Sequence, residues 1–327
     1  MGRLLVLLIL IAGLGYWAWA SGDVELVDEI AIAEANAEAD FESRMVAGAN
    51  GVNLHVVFAG PEDGAPVILI HGFPEFWYSW RRQAAALGKA GYRVAVPDLR
   101  GYNRSDKPKG QDAYTIDAYA ADIVALMDAE DWETAHIAGH DVGAFVAWRL
   151  VDGHPDRIDR AVVFNIPPPA ALADAEMKGD ESTSWYRTAF QVPFLPELAL
   201  RAGGYRVLSR LLTKGAKAGA FSDQDMDIYR SAWARENAIS TMLGFYRATD
   251  FSDLGDDGDG LTRPVFFVGA GKDAYVPAGG IEATTELLGA ENIEVWPNAS
   301  HWVLQEEPRL TVSAMIRHFG AAASTGE

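Results

Sequence analysis

Short strand-like runs recur along this chain, and several are continuous stretches of Val, Ile and Phe, as strands buried on both faces require. They are "NLHVVFA" (53–59), "PVILIH" (66–71), "RVAVPD" (93–98), "AHIAG" (135–139), "AVVFNI" (161–166), "PVFFVGA" (264–270) and "IEVWPN" (293–298). Between the later ones the apolar positions take helical spacing, as in "TIDAYAADIVALMDAE" (115–130) and "AFVAWRLVDGH" (144–154). Strands alternating with helices predict an α/β fold, a mostly parallel, doubly wound sheet with helices on both faces. The rhythm stops after Ile166. From "PPPAALADAEMKGDESTSW" to about residue 250 only helical spacing appears, rich in Ala, Leu, Arg and Tyr, and it resumes as strand at "PVFFVGA". An all-helical insertion at that point predicts a lid over the carboxyl ends of the strands, where parallel sheets bind ligands. The pattern therefore divides the chain into a core of 44–166 and 251–322, a helical lid of 167–250 and a tail of 323–327.

The start of the chain has a different character. Leu4 to Ala20 carries no charge, follows Arg3, and ends in Tyr16, Trp17 and Trp19. This reads as a single-pass membrane anchor over residues 1–20 with an aromatic belt. A secretory signal cleaved near Ala20, leaving a secreted or periplasmic protein, is the alternative, since Ala18-Trp19-Ala20 before Ser21 fits a small-residue cleavage site. Residues 21–43, Ala/Glu-rich from Val24 onward, predict an acidic helical spacer with a solvated charged face. The net charge of −19 leaves no basic surface for a phosphate backbone, so nucleic acid is excluded as a partner. No cysteine is present, which removes disulfides and thiolate chemistry. The Asp-rich "DLGDDGDG" (253–260) lacks the ligand spacing and closing Glu of a calcium loop, and no metal or cofactor is expected.

Candidate chemistry centres on "GHDVG" (139–143), between a strand and a helix. A turn of this kind resembles the nucleophile elbow of the α/β-hydrolase fold, with Gly139 and Gly143 permitting the sharp bend. Its central residue is Asp141 where acyl-transfer enzymes keep a serine. "GKDAYVP" offers Asp273 after the next-but-one strand and "SHW" offers His301 after the last. Nucleophile, acid, histidine is the hydrolase chain order. The loop "HGFPEFWYSWRRQ" (71–83) is the place for one oxyanion-hole N–H, that of Phe73, and Val142 follows the nucleophile with the second. Among the other histidines, His71 and His140 sit in glycine-flanked turns, while His55, His136, His154 and His318 read as packing or surface residues.

A carboxylate in the elbow changes the reaction. Attack on an ester carbonyl would give an anhydride, whereas attack on a strained saturated carbon gives an ordinary ester that water can hydrolyse. Asp141 is ionised at neutral pH without help, so His301 is left to activate the water, with Asp273 fixing its tautomer.

Taken together, "HGFPEFWYSWR", "VPDLRGYNRSDKP", "GHDVG", "GKDAYVP" and "SHW" resemble the epoxide hydrolases of the α/β-hydrolase superfamily, from about Arg44 to Gly320. The resemblance implies hydrolysis of an epoxide to a vicinal diol, with Asp141 as nucleophile, His301 as base and Asp273 as its orienting acid. It also implies two lid tyrosines that donate to the epoxide oxygen, which match Tyr186 in "TSWYRTAFQVP" and Tyr246 in "LGFYRATD". Trp77, Trp185 and Trp302 are candidate walls of the substrate pocket, along with Phe73 and Val142. The implied partners are a small apolar epoxide and water, with membrane attachment through the N-terminal segment. Two alternatives stay open at this level. A haloalkane or haloacid dehalogenase uses the same Asp-His-Asp triad, although its relatives carry Trp or Arg where this chain has Val142. A non-catalytic, membrane-tethered binding protein of the same fold is the more distant one.

Overall fold

A computed structural model of the chain describes residues 24–37, 39–177, 185–251, 261–277 and 279–320, and Gly13. Eight strands form one sheet: β1 (Glu42–Ala47), β2 (Asn53–Ala59), β3 (Ala65–Ile70), β4 (Tyr92–Pro97), β5 (Ala135–His140), β6 (Ile158–Phe164), β7 (Val265–Ala270) and β8 (Ile293–Trp296). Their order is β1-β2-β4-β3-β5-β6-β7-β8. β2 runs antiparallel to β1 and β4, and every other neighbour pair is parallel. Central strands are apolar on both faces because both are covered: Val67 to Ile70 of β3 and Ala161 to Phe164 of β6 are fully buried.

The helices are α1 (Glu29–Ala37), α2 (Arg81–Lys89), α3 (Ile116–Ala129), α4 (Val142–Gly153), α5 (Pro169–Met177), α6 (Trp185–Phe190), α7 (Leu195–Thr213), α8 (Asp223–Ala234), α9 (Ala238–Met242), α10 (Gly244–Ala248), α11 (Gly279–Leu288), α12 (Val303–Glu306) and α13 (Pro308–Phe319). The six from α5 to α10 all fall between β6 and β7, as the loss of strand rhythm after Ile166 predicts. Local chemistry sets several of their ends. Thr115 caps α3 by accepting the Ala118 N–H, and Ser222 with Asp225 forms a reciprocal capping box at the start of α8. α7 is two helical pieces in one. Ala202 to Tyr205 leave helical geometry, with φ of 62°, 65° and 65° at Gly203, Gly204 and Tyr205.

Three expectations are corrected. β1 begins at Glu42, inside the stretch read as spacer; it is a mostly exposed edge strand, "ESRMVA", so it lacks the apolar run that marks a buried one. The spacer helix α1 is not wholly solvated, since Ala33 and Glu29 are buried. Glu29 accepts from the Arg104 guanidinium at 2.9 Å and from Asn103 at 3.3 Å. The third correction concerns the membrane. Among the described residues no helix is long and apolar enough to cross one. The longest, α7, has 19 residues but carries Glu197, Arg201, Arg206 and Arg210. The stretch read as an anchor or cleaved signal lies outside the described residues, Gly13 apart, and the membrane attachment is withdrawn. Residues 253–260 also lie outside them; among the described residues no group of acidic, His or Cys side chains could hold a metal ion.

Candidate active site

Parallel register brings the chemistry to one edge of the sheet. Ile70 pairs with Gly139, His140 with Phe164, Phe164 with Val268, and Ala270 with Trp296. The loops that follow these strands therefore emerge side by side, carrying Phe73, Asp141, Asn165, Asp273 and His301.

The elbow at Asp141 is strained and tightly packed. Asp141 has φ 52° and ψ −119°, a conformation that a side chain with a Cβ rarely adopts. Glycines make room for it. A Cβ on Gly143 would lie 2.1 Å from the Ile70 carbonyl oxygen, and one on Gly139 would lie 2.2 Å from that of Gly143. On the facing loop, a Cβ on Gly72 would meet the Asp141 Cβ at 2.3 Å. β3, β5 and α4 can converge this closely only because those three positions have no side chain.

A continuous polar chain runs from the elbow. The Phe73 N–H donates to Asp141 Oδ1 at 2.7 Å. His301 Nε2 stands 3.5 Å from Asp141 Oδ2, and its Nδ1 stands 2.8 Å from Asp273 Oδ2. Asp273 is held in turn by the Tyr275 and Val276 N–H groups on Oδ1 and by the Asn165 amide on Oδ2, at 2.7, 3.2 and 2.6 Å. Val142, the first residue of α4, directly follows the elbow. Asp141 and His301 are buried, and the Asp273 side chain is only 5% exposed.

Burial sets the ionisation, and the pairing opposes it. Desolvation alone would raise the Asp141 carboxyl, but the His301 hydrogen bond and charge, His140 and the Phe73 N–H hold it below the ordinary carboxylate value. Asp273 is likewise lowered against desolvation, chiefly by the charge and hydrogen bond of His301 and by the Asn165 amide. For His301 desolvation disfavours the charge, yet Asp273 and Asp141 outweigh it and raise the imidazole to about 10. The resting site is thus an imidazolium between two carboxylates.

Asp141 and His301 open onto a cavity whose further walls are largely aromatic: Phe73, Tyr186, Phe190, Tyr246, Tyr275 and Trp302. Tyr186 from α6 and Tyr246 from α10 meet edge to face with centroids 5.8 Å apart. Burial raises Tyr186 to about 12 and Tyr246 well above 10, so both phenols stay protonated at neutral pH. Trp302 is a cavity wall. Trp77 is not among the cavity walls: it is fully buried in the core, edge-on to Phe41 and Tyr78, and its backbone N–H bonds Asp98. Aromatic residues near a motif do not reveal from sequence which side of a loop they pack on. The Trp185 side chain lies outside the described atoms.

Sequence reasoning missed two groups. Asn165, at φ 68° just past β6, braces Asp273; a polar residue closing an apolar strand was its only signal. Glu75, inside the quoted "HGFPEFW" loop, faces His140 Nδ1 at 3.3 Å and accepts from Gln305 and Tyr229 at 2.6 and 3.1 Å. His140 Nε2 lies 2.8 Å from the His301 carbonyl, and since a carbonyl only accepts, that nitrogen carries the hydrogen. These contacts anchor the backbone of His301.

Residues 65–308 match the family model described as alpha/beta hydrolase fold. An AB hydrolase superfamily protein of Bacillus subtilis, YfhM, is 34% identical over 82% of this chain and 95% of its own. Epoxide hydrolase 2 of Caenorhabditis elegans is 30% identical over 90% of this chain and 84% of its own. A solved structure, described as a novel epoxide hydrolase of the superfamily from metagenomes of hot environments, superposes with a TM-score of 0.75. It is 29% identical and covers 86% of this chain and 99% of its own. The chain belongs to the α/β-hydrolase superfamily, within its epoxide hydrolase branch.

Proposed function

We propose that this protein hydrolyses small apolar epoxides to vicinal diols through a covalent ester on Asp141. The observation that carries the reading is the division of labour on one carboxylate. Oδ1 is taken by the Phe73 N–H, while Oδ2 faces His301 and the cavity bearing two protonated phenols. Oδ2 attacks an epoxide carbon in line with the C–O bond, which breaks as Tyr186 or Tyr246 donates its proton to the departing oxygen. Residues 167–250 act as the lid that supplies these phenols.

The first step prepares the second. Esterified Asp141 no longer carries the charge and hydrogen-bond acceptor that help to hold the proton on His301. That proton restores the phenol, and His301 becomes a base. It takes one hydrogen from water, and the hydroxyl adds to the Asp141 carbonyl carbon. The negative charge then develops on Oδ1, where the Phe73 and Val142 N–H groups form the oxyanion hole; a donor so placed is typically worth about 3 kcal/mol. Collapse breaks the ester bond, and the second water hydrogen goes to the released diol oxygen. Asp273, braced by Asn165, keeps the imidazole oriented throughout.

Buried phenols suit an alkoxide leaving group, which must be protonated, better than a halide, which need not be. The test is a panel of epoxides and haloalkanes with the wild-type protein and Asp141→Ala. Diol formation that vanishes in the variant is the expected result. Halide release without any diol overturns the reading in favour of a dehalogenase.

A further inference from the structure

The cavity over Asp141 is tight: about 30 Å³ is open to the centre of a water molecule, so how far its walls give decides which epoxides it admits. Leu211, in the last turn of α7, is the aliphatic side chain among walls otherwise made of aromatic rings, Pro74 and the reacting groups. Its backbone is fixed from the other side of the site. The Tyr275 hydroxyl donates to the Leu211 carbonyl at 2.7 Å, a carbonyl that also takes a longer 3.3 Å bond from the Lys214 N–H. Downstream, Trp302 Nε1 donates to the Lys214 carbonyl at 3.1 Å. Upstream, the helix is interrupted at Ala202 to Tyr205. Arg206 to Thr213 is therefore a short segment, packed on the core through Leu208 and Leu212, with a break behind it, the Trp302 and Glu306 bonds beyond it, and the Tyr275 hydroxyl between.

Tyr275 is itself well placed. Its N–H bonds Asp273 Oδ1, and its ring packs edge to face on His301 at 5.0 Å and on Tyr186 at 6.0 Å. The ring is thus cavity wall beside the base, and the hydroxyl reaches out of the cavity to the insertion. Because the backbone bond to Asp273 does not involve the side chain, substitution leaves the acid's support in place.

We infer that Tyr275 determines substrate size: its hydroxyl ties down the Leu211 segment of α7 and so restricts the site to compact epoxides. This rests on the epoxide reading for its substrates but not for its structural consequence. Tyr275→Phe keeps the ring and removes the tie, whereas Tyr275→Ala removes both.

The experiment compares kcat/KM for styrene oxide and the bulkier trans-stilbene oxide across wild type and both variants, with amide hydrogen exchange on Arg206–Thr213. In Tyr275→Phe the ratio of bulky to compact substrate rises by about fivefold or more, and exchange in that segment quickens by about tenfold. The pH profile keeps its wild-type shape, because His301 and Asp273 are untouched. An unchanged ratio and unchanged exchange in Tyr275→Phe overturn the inference. A ratio that rises only in Tyr275→Ala also overturns it, because the ring alone would then set the size. If the wild type makes no diol from any epoxide, the functional reading fails instead, and hydrogen exchange still decides the tie.

Discussion

At the scale of single residues, His301 is dispensable for attack by Asp141 and required for hydrolysis of the ester. His301→Gln keeps Asp141 as a nucleophile, so the protein should gain the mass of one epoxide and then stall, as read by intact-protein mass spectrometry. Normal turnover in that variant would contradict the assigned roles. The same histidine gives a stability signature. Its folded pKa, about 10, lies above the ordinary 6.5. Below pH 6.5 both folded and unfolded chains hold the proton and the contribution to stability is complete; it fades as pH rises toward 10. The stability difference between wild type and His301→Gln should therefore shrink over that window in urea titrations at stepped pH. Much of this site was legible in the sequence, because Asp141, Asp273 and His301 each follow an apolar strand and stand in hydrolase order. Asn165 and Glu75 were not, since each acts by touching a partner far away in the chain. Trp77 misled for the complementary reason: its motif gave its neighbourhood but not its direction.

Among the elements, the strand-turn-helix of β5 and α4 carries the geometry. Gly143 lies against the β3 backbone, and a methyl there would overlap the Ile70 carbonyl. Gly143→Ala is expected to cost about 3 kcal/mol in chemical denaturation, with activity falling even at temperatures where the variant is folded. A neutral effect on both would mean that the elbow has slack this packing denies. Elements with strong internal signals were readable in advance, namely the doubly buried strands and the amphipathic α3. β1 was hidden because an edge strand needs only one apolar face, and "ESRMVA" offers a single buried residue, Val46.

For the whole molecule, the helix ahead of the sheet is more than a spacer. α1 reaches the core through Glu29, which is bonded to Arg104 and Asn103. The same N-terminal segment touches the insertion through the Val27 N–H on the Ser231 hydroxyl and through Asn36 on Gln224 of α8. Glu29→Ala leaves these donors without their carboxylate and should destabilise the protein by about 2 kcal/mol in urea titration; a change within error would return α1 to the status of a tether. Such long-range docking has no local pattern, which is why an Ala/Glu-rich stretch reads from sequence as solvated helix. The central claim concerns where the oxygen of water goes in one complete turnover. Single-turnover reaction of wild type in heavy-oxygen water, followed by mass analysis of the Asp141 peptide and of the diol, tests it most directly. The account predicts label in the Asp141 carboxylate and an unlabelled first diol; label in that diol with none in Asp141 would contradict it.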